Sequence, residues 1–578
     1  MQYPIVYVIL KRMRAPLILL IVAWTISILG LTLIPGVEID GERRYMTVFE
    51  AFYFVSYMAT TIGFGEPSFG FTDVQRLWVS FSMFLTVISW FYAIGHIISL
   101  LQDPALKTVW KRQSFIKEVN RINEKFFIIC GYGETGELLL EYLTEKGFQC
   151  VVIDNDPERI NLLDLNSSIY NTPYIQGDVS DVSVLQMAGL DSPNCRAVLA
   201  VTNNEQINVK IAAVAKILHT GVKVICRANS KEAIANAKSF DTDYVINTNK
   251  RFAENMSLGF RTPSIQQLTL SLLRRSGREY SKPPELPKGH WIVCGDDEFA
   301  EEMINFLEFE GMDYTAISQQ GTASSTRVIG KGTEAITLKS ADIEKSVGIV
   351  AGTTDDTDNL SIIMTARHLK PNLFFIARQN QDSNREVFRH TEVDTIMESA
   401  RLLVWQAIPL ITQPTMVTFL RLARHQDEAW GKAVMDNLKA VSDTVPTSYL
   451  IKINEQNAPA VSQHLESESI LRLQDLYVPD RVEERPIALP LMLIRNGQET
   501  LLPKMSTPIK MGDIFLMAST EAAKEQVLYT IGHEQDFHYV IHGEEKPISI
   551  VMHHIREKVK EYKLRYRQWK KTKRSTQP

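Results

Sequence analysis

The sequence predicts a membrane-embedded α-helical hairpin, then two tandem α/β domains with parallel sheets, then a small C-terminal α+β lobe. Three observations carry that prediction. Two long apolar runs, 16–35 and 77–101, lie near the N-terminus, and neither contains Asp, Glu, Lys or Arg, the second holding a single His96. From residue 126 onward, short apolar runs alternate with amphipathic helical patterns, the mark of βαβ units. That alternation then occurs a second time in the same order.

Each apolar run is long enough to cross a hydrocarbon core of about 30 Å. Lys11, Arg12 and Arg14 precede the first run, and Lys107, Lys111 and Arg112 follow the second. Excess Lys and Arg marks the cytoplasmic side, so both ends of the hairpin are expected inside. Residues 1–10 suit a short helix lying on the membrane surface. The chain carries 62 Lys and Arg against 67 Asp and Glu, a net charge of −5, so no nucleic-acid partner is expected. The five cysteines, 130, 150, 195, 226 and 294, have no metal-binding spacing and read as small buried hydrophobes.

Between the runs, residues 47–59 are mostly apolar and too short to span, which suits a re-entrant half-helix. Thr61-Ile62-Gly63-Phe64-Gly65 and Glu66 follow. Non-helical backbone at membrane depth must be buried in protein or line a water cavity. Two glycines permit left-handed dihedrals, so successive carbonyls can face one axis. Four such loops would stack oxygen rings that replace the water around a cation. The segment resembles the selectivity filter of potassium channels, commonly TVGYG followed by Asp. Ile62 keeps the bulk of Val. Phe64 lacks the hydroxyl that in that family bonds to the pore helix, and Phe54 falls near the place of the family's pore-helix tryptophan. A filter held by packing is therefore expected. The second run has no glycine near its middle. Its Gly95, near the cytoplasmic end, is the expected gating hinge, where the helix bends.

After a charged linker, Phe126-Phe127-Ile128-Ile129-Cys130 reads as a buried strand. It runs into Gly131-Tyr132-Gly133-Glu134-Thr135-Gly136 and a helical pattern, and the next strand ends in Asp154. A GxGxxG with a strand before it, a helix after it and an acid some way on is the dinucleotide fingerprint of Rossmann-type domains. The helix N-terminus favours phosphate charge. Asp154 would accept hydrogen bonds from a ribose, which points to NAD or ADP, or another adenine nucleotide, rather than NADP. In the second copy the loop is Gly295-Asp296-Asp297-Glu298-Phe299-Ala300, without the second and third glycines, and Ser318 stands where Asp154 does. That copy is expected to be structural, or to bind something other than a dinucleotide.

A membrane hairpin with a potassium filter followed by two such domains resembles the two-transmembrane RCK-gated potassium channels of prokaryotes, RCK standing for regulator of potassium conductance. The resemblance implies a ligand-gated K⁺ channel, not an enzyme, in the plasma (inner) membrane with its RCK domains cytoplasmic. It implies a homotetramer in the lipid bilayer whose eight RCK domains form a gating ring. The domains are then 1–106 (pore), 107–124 (linker), 125–282 (first RCK domain), 283–411 (second Rossmann-like lobe), 412–545 (C-terminal lobe) and 546–578 (basic tail). Helices crossing to a neighbouring domain are expected at 264–274 and 398–408. The residues of 131–136, with Asp154 and Asp178, map onto the family's nucleotide positions. Calcium, the family's other ligand, needs several converging oxygens. Asp178, Glu205, Asp355, Asp356 and Asp358 are the candidates for it. Two rival readings are a subunit of a potassium uptake system, which would need several hairpins, and a membrane-tethered NAD-dependent oxidoreductase, which would need a catalytic acid or base that the sequence does not display.

Overall fold

The computed structural model describes residues 5–39, 42–170, 172–273, 276–466, 470–477 and 486–542, so the basic tail lies outside the described residues. The chain separates into two compact units, one holding residues 1–126 and 151–194, the other 127–150 and the chain from 195 onward.

The N-terminal part is four helices, α1 (Ile5–Leu33), α2 (Val48–Ala59), α3 (Asp73–Gln102) and α4 (Pro104–Asn120). Met13–Leu33 and Asp73–Leu100 are long and apolar enough to cross a membrane. The expected separate surface helix does not form, because α1 is one helix from Ile5 through Pro16 into the span. Membrane helices tolerate such a proline where neighbours re-satisfy the freed backbone. α1 and α3 approach closely at Gly30, where a Cβ would lie 2.0 Å from the Trp78 ring. Trp78 Nε1 also donates to Ser27 O at 3.2 Å. α2 buries Ala51, Phe54, Val55 and Met58 in a cluster with Leu31 and Phe71. A Thr47–Glu50 capping box closes its N-terminus, worth about 1 kcal/mol. Large apolar side chains such as Ile21, Leu29, Phe84 and Ile88 stay exposed, as lipid-facing surface does. α3 does not break at Gly95 but runs on to Gln102. Only Asp103 separates it from α4, which makes much of the linker a helix.

The first α/β copy comprises β1 (Phe126–Cys130), α5 (Glu134–Glu145), β2 (Gln149–Asp154), α6 (Pro157–Tyr170), β3 (Tyr174–Gln176), α7 (Val182–Met187), β4 (Cys195–Ala200), α8 (Glu205–Leu218), β5 (Lys223–Arg227), α9 (Lys231–Ser239) and β6 (Tyr244–Ile246). α10 (Thr248–Arg261) and α11 (Pro263–Leu272) follow. In the first unit β2 and β3 are parallel neighbours. There α4 buries Phe115 and Val119 and packs on β3 and α7. In the second unit β4, β5 and β6 are parallel neighbours.

The second copy repeats the series as β7 (His290–Cys294), α12 (Glu298–Phe309), β8 (Tyr314–Ser318), β9 (Arg327–Ile329), α13 (Ala335–Ser340), β10 (Ser346–Ala351), α14 (Asp356–Leu369), β11 (Phe374–Gln379), α15 (Arg385–His390) and β12 (Thr395–Glu398). Its sheet has the order β9-β8-β7-β10-β11-β12, parallel throughout. This is the doubly wound order, whose ligand crevice lies at the C-terminal ends of the strands. The duplication reaches single hydrogen bonds. Asn208 bonds the Thr202 backbone and Arg227 O in one copy, and Asn359 bonds the Thr353 backbone and Arg378 O in the other.

α16 (Ser399–Thr412), α17 (Pro414–Ala423) and α18 (Glu428–Val441) come next. The crossing helices differ from expectation in one case. α10 packs on α12 of the second copy, and α16 packs on α5 of the first, so the two copies exchange helices. The expected crossing segment, 264–274, is instead mostly α11, which packs on α18. The reason is Pro263. The residue before a proline is pushed out of the α region, and Thr262 sits at φ −139°, ending α10 and starting α11 in a new direction. Gln413 and Pro414 repeat the device, bending α16 from α17 by 116°.

The C-terminal lobe has β13 (Thr447–Lys452), α19 (Pro459–Glu466), β14 (Ala488–Arg495), β15 (Gln498–Leu501), β16 (Ile514–Ser519), α20 (Glu521–Gly532) and α21 (Glu534–His542). Its strands form an antiparallel sheet in the order β13-β16-β14-β15.

Candidate pore and nucleotide sites

The loop after α2 alternates in handedness. Thr61, Gly63 and Gly65 have φ of 62°, 70° and 93°. That region is costly for a threonine and free for glycine. An alternating backbone of this kind turns successive carbonyls to one side, as an oxygen-ring filter requires. The end of α2 holds the loop, since Ile62 N and Gly63 N both donate to Tyr57 O, at 2.9 and 3.3 Å. The expectation of a filter held only by packing needs correction. Phe54 packs as expected, edge-on to Tyr57 and Phe71. The hydroxyl that Phe64 lacks is supplied from the other side, because Tyr57 OH donates to Gly65 O at 2.9 Å. The Tyr57 and Phe64 rings also meet edge-to-face, with centroids 5.5 Å apart. Tyr57 was legible only as one aromatic among several in the half-helix. Beyond the loop, Glu66 takes a two-pronged contact from Arg76, at 3.0 and 3.2 Å. Within one chain the other side of the loop is open, with Ile62 62% and Phe64 72% exposed.

The glycine-rich loop lies in the second unit. Gly131 has φ 103° and meets Thr202. A Cβ on Gly136 would fall 2.0 Å from Gly131 O, so α5 can start this close to the loop only without a side chain there. Gly133 is extended (φ −87°, ψ −165°) and caps α5 with no side-chain hydrogen bond. The first-turn N–H groups of α5 are thus left without a side-chain acceptor at the N-cap, the arrangement that receives a phosphate. Tyr132 and Thr135 are buried beside them. Glu134 turns to the second copy and accepts from Asp382 N at 2.7 Å. Burial raises its carboxyl above the usual glutamate value.

Asp154 lies in the first unit, at the C-terminal end of β2, and is 3% exposed. Its Oδ1 accepts from Asp156 N at 2.8 Å, and Arg159 Nη1 lies 3.7 Å from Oδ2. Asp178 caps its own turn by accepting from Ser180 N at 2.8 Å. Gly177 N donates to Asp154 O at 2.9 Å, which puts the Asp178 turn beside the end of β2.

The second copy is closed by its own carboxylates. Asp297 accepts from Phe299 N and Ala300 N at the start of α12 and pairs with Arg378. Asp296 takes the hydroxyl of Ser318 and Gln319 N. A negative side chain therefore stands where a phosphate would.

The candidate calcium acids are committed elsewhere. Glu205 accepts from Asn229 N, Ser230 N and Ser230 Oγ. Asp356 accepts from Asn380 N, Gln381 N and Asn384 Nδ2. Asp355 caps α14, and Asp358 pairs with Lys331 at 3.0 Å. Among the described residues, no three His, Cys, Asp or Glu side chains are grouped to hold a metal. Carboxylates facing loop N–H groups anchor those loops, and the sequence could not distinguish that use from cation binding. All five cysteines are free and buried, and burial raises their thiols.

The "Ion channel" family matches residues 16–103, and the "TrkA-N domain" family matches residues 127–248 and 291–399. "Potassium channel protein 1" of Methanocaldococcus jannaschii is 23% identical over 32% of this chain and 54% of its own length. "Probable potassium channel protein 2" of the same organism is 25% identical, over 46% and 75%. "Voltage-gated potassium channel Kch" of Escherichia coli is 25% identical, over 35% and 47%. The chain thus spans about half the length of the first and third of these relatives. Among solved structures, "GsuK channel bound to NAD" is 14% identical with a TM-score of 0.46, over 91% of this chain and 99% of that one. "Crystal structure of the GsuK bound to ADP" is 16% identical with a TM-score of 0.45, over 71% and 100%. The chain thus joins an ion-channel hairpin to two TrkA-N domains, the make-up of the RCK-gated potassium channels.

Proposed function

We propose that the chain is one subunit of a homotetrameric, ligand-gated potassium channel. Four Thr61–Gly65 loops ring one axis, and eight RCK domains, two per chain, form a cytoplasmic gating ring. The observation that carries this reading is the filter loop, alternating in handedness and tied to the pore helix through Tyr57. Its open side is where neighbouring subunits would pack. One hairpin per chain fits a tetramer better than an uptake-system pore subunit.

The gating ligand is NAD or ADP, held by the first copy. The uncapped start of α5, with the Gly131–Gly136 loop, receives the phosphates, and Asp154 takes the ribose hydroxyls. A ligand shifts a gate only by binding one state better than the other. The path to the pore runs through the first unit, where β3 and α7 flank the Asp178 turn and carry α4. α4 is joined to α3 through Asp103 alone. A displaced Asp178 turn therefore pulls on the inner helix, and Gly95 is where that helix would yield. Calcium finds no uncommitted acid cluster among the described residues and enters as a test arm.

The test is K⁺ against Na⁺ flux through purified protein in liposomes, with and without NAD, ADP or calcium, repeated with Asp154→Arg. Selective K⁺ flux that responds to nucleotide only in the unmutated protein supports both pore and site. K⁺ flux indifferent to nucleotide refutes the gating ligand. Non-selective flux refutes the filter.

A further inference from the structure

Glu134 is the first residue of α5, so its carboxylate stands within one side-chain length of the first-turn N–H groups at the glycine loop. The second copy holds it in place, because its Oε1 accepts from Asp382 N at 2.7 Å, in the turn that follows β11. That turn is itself fixed by Asp356 at the start of α14. Asp356 accepts from Asn380 N at 2.7 Å, from Gln381 N at 3.0 Å and from Asn384 Nδ2 at 2.7 Å. The charges around Glu134 do not balance. Asp382 and Asp356 add to its negative charge, and Arg227 opposes them. Glu137, one turn on, lies in the same field as Glu134 and Asp382. Arg378, the other guanidinium that acts on Arg227, is paired with Asp297.

We propose that Glu134, held by the second copy, makes the glycine-loop site select a pyrophosphate diester over a nucleotide that ends in a free phosphate. The inference rests on the nucleotide reading of that site and narrows it to NAD over ADP. Both ligands carry the adenosine pyrophosphate, so the difference falls on the second phosphate. In the diester that phosphate bears a single charge, whereas a terminal phosphate bears about −1.5 to −2 at pH 7. The N-terminus of α5 offers only about half a unit of positive charge against it. Each further charge on the ligand therefore meets a carboxylate that the bond to Asp382 N keeps from turning away, and like charges at such range repel. The second copy, which lacks the second and third glycines of its own loop, then serves the first by positioning the residue that selects the ligand.

The experiment is calorimetric titration of ADP-ribose and, separately, ADP into the full-length detergent-solubilised protein, unmutated and as Glu134→Gln. ADP-ribose has the diester but no nicotinamide, so nicotinamide contacts do not enter the comparison. Glutamine keeps an acceptor for Asp382 N and removes only the charge. The expected result is that ADP-ribose binds the unmutated protein at least about tenfold more tightly than ADP. In Glu134→Gln the two affinities should come within about threefold of each other. Glu134→Ala, which also loses the bond to Asp382, should narrow the ratio in the same direction. Equal affinities in the unmutated protein, or a ratio that Glu134→Gln leaves unchanged, would overturn the proposal and leave the loop a nucleotide site. Binding of neither ligand would refute the nucleotide reading itself, and the selection with it.

Discussion

Replacing Tyr57 with Phe removes one oxygen from the pore helix and nothing else. The ring stays, so its edge contact with Phe64 at 5.5 Å is kept, and the two backbone bonds from Ile62 and Gly63 to Tyr57 O are untouched. What is lost is the 2.9 Å bond to Gly65 O. A neutral hydrogen bond contributes about 1 kcal/mol net, which is about fivefold in the balance between an ordered and a disordered filter. If four subunits act independently, the ordered ring loses about 4 kcal/mol. The assay is the reversal potential of single channels in planar bilayers with K⁺ on one side and Na⁺ on the other, with the time spent conducting. Tyr57→Phe should lower the K⁺/Na⁺ permeability ratio or shorten the conducting periods. Phe64→Tyr in the same chain should restore part of the loss, since it returns a hydroxyl to the filter itself. An unchanged reversal potential together with unchanged conducting time would refute the claim that this hydroxyl holds the loop.

Three further outcomes are expected. Asp297→Gly removes the cap of α12 and the partner of Arg378. Thermal unfolding should report a loss of about 1–3 kcal/mol, and an unchanged melting temperature would mean the carboxylate does not replace a phosphate there. Burial, with His542 and His538 adding, holds the His464 imidazole below its ordinary value of 6.5. A lowered histidine means the unfolded chain binds more protons, so stability is greatest above pH 6.5 and falls as pH drops below it. His464→Gln should flatten that part of the profile, and an identical slope would refute it. Gly95→Ala meets nothing within 4 Å and stiffens α3 by about 1 kcal/mol. Open probability in single-channel recordings should change, and no change would remove Gly95 as the hinge.

Much of the fold was legible because its signals are local. Span length and the basic flanks mark the hairpin, and strand–turn–helix runs mark the α/β copies. The glycine loop was legible for the same reason. Gly136 can be nothing else when a Cβ would meet Gly131 O at 2.0 Å. The crossing helix was misplaced because the break at Pro263 is local but the partner of each half is not. The acids at 205 and 356 looked like cation ligands because a carboxylate reads alike whether it faces a calcium ion or the N–H groups of its own loop.

By itself the sequence determined the order of parts, the TIGFG loop, the duplication and the loss of glycines in the second copy. Each follows from residues within a turn or two of one another. Only the tertiary structure decided that Tyr57 anchors Gly65, that α10 and α16 are the helices exchanged, and that Asp297 and Arg378 close the second copy. Those facts depend on which side chains meet after the chain has folded back on itself, and no local spacing encodes them.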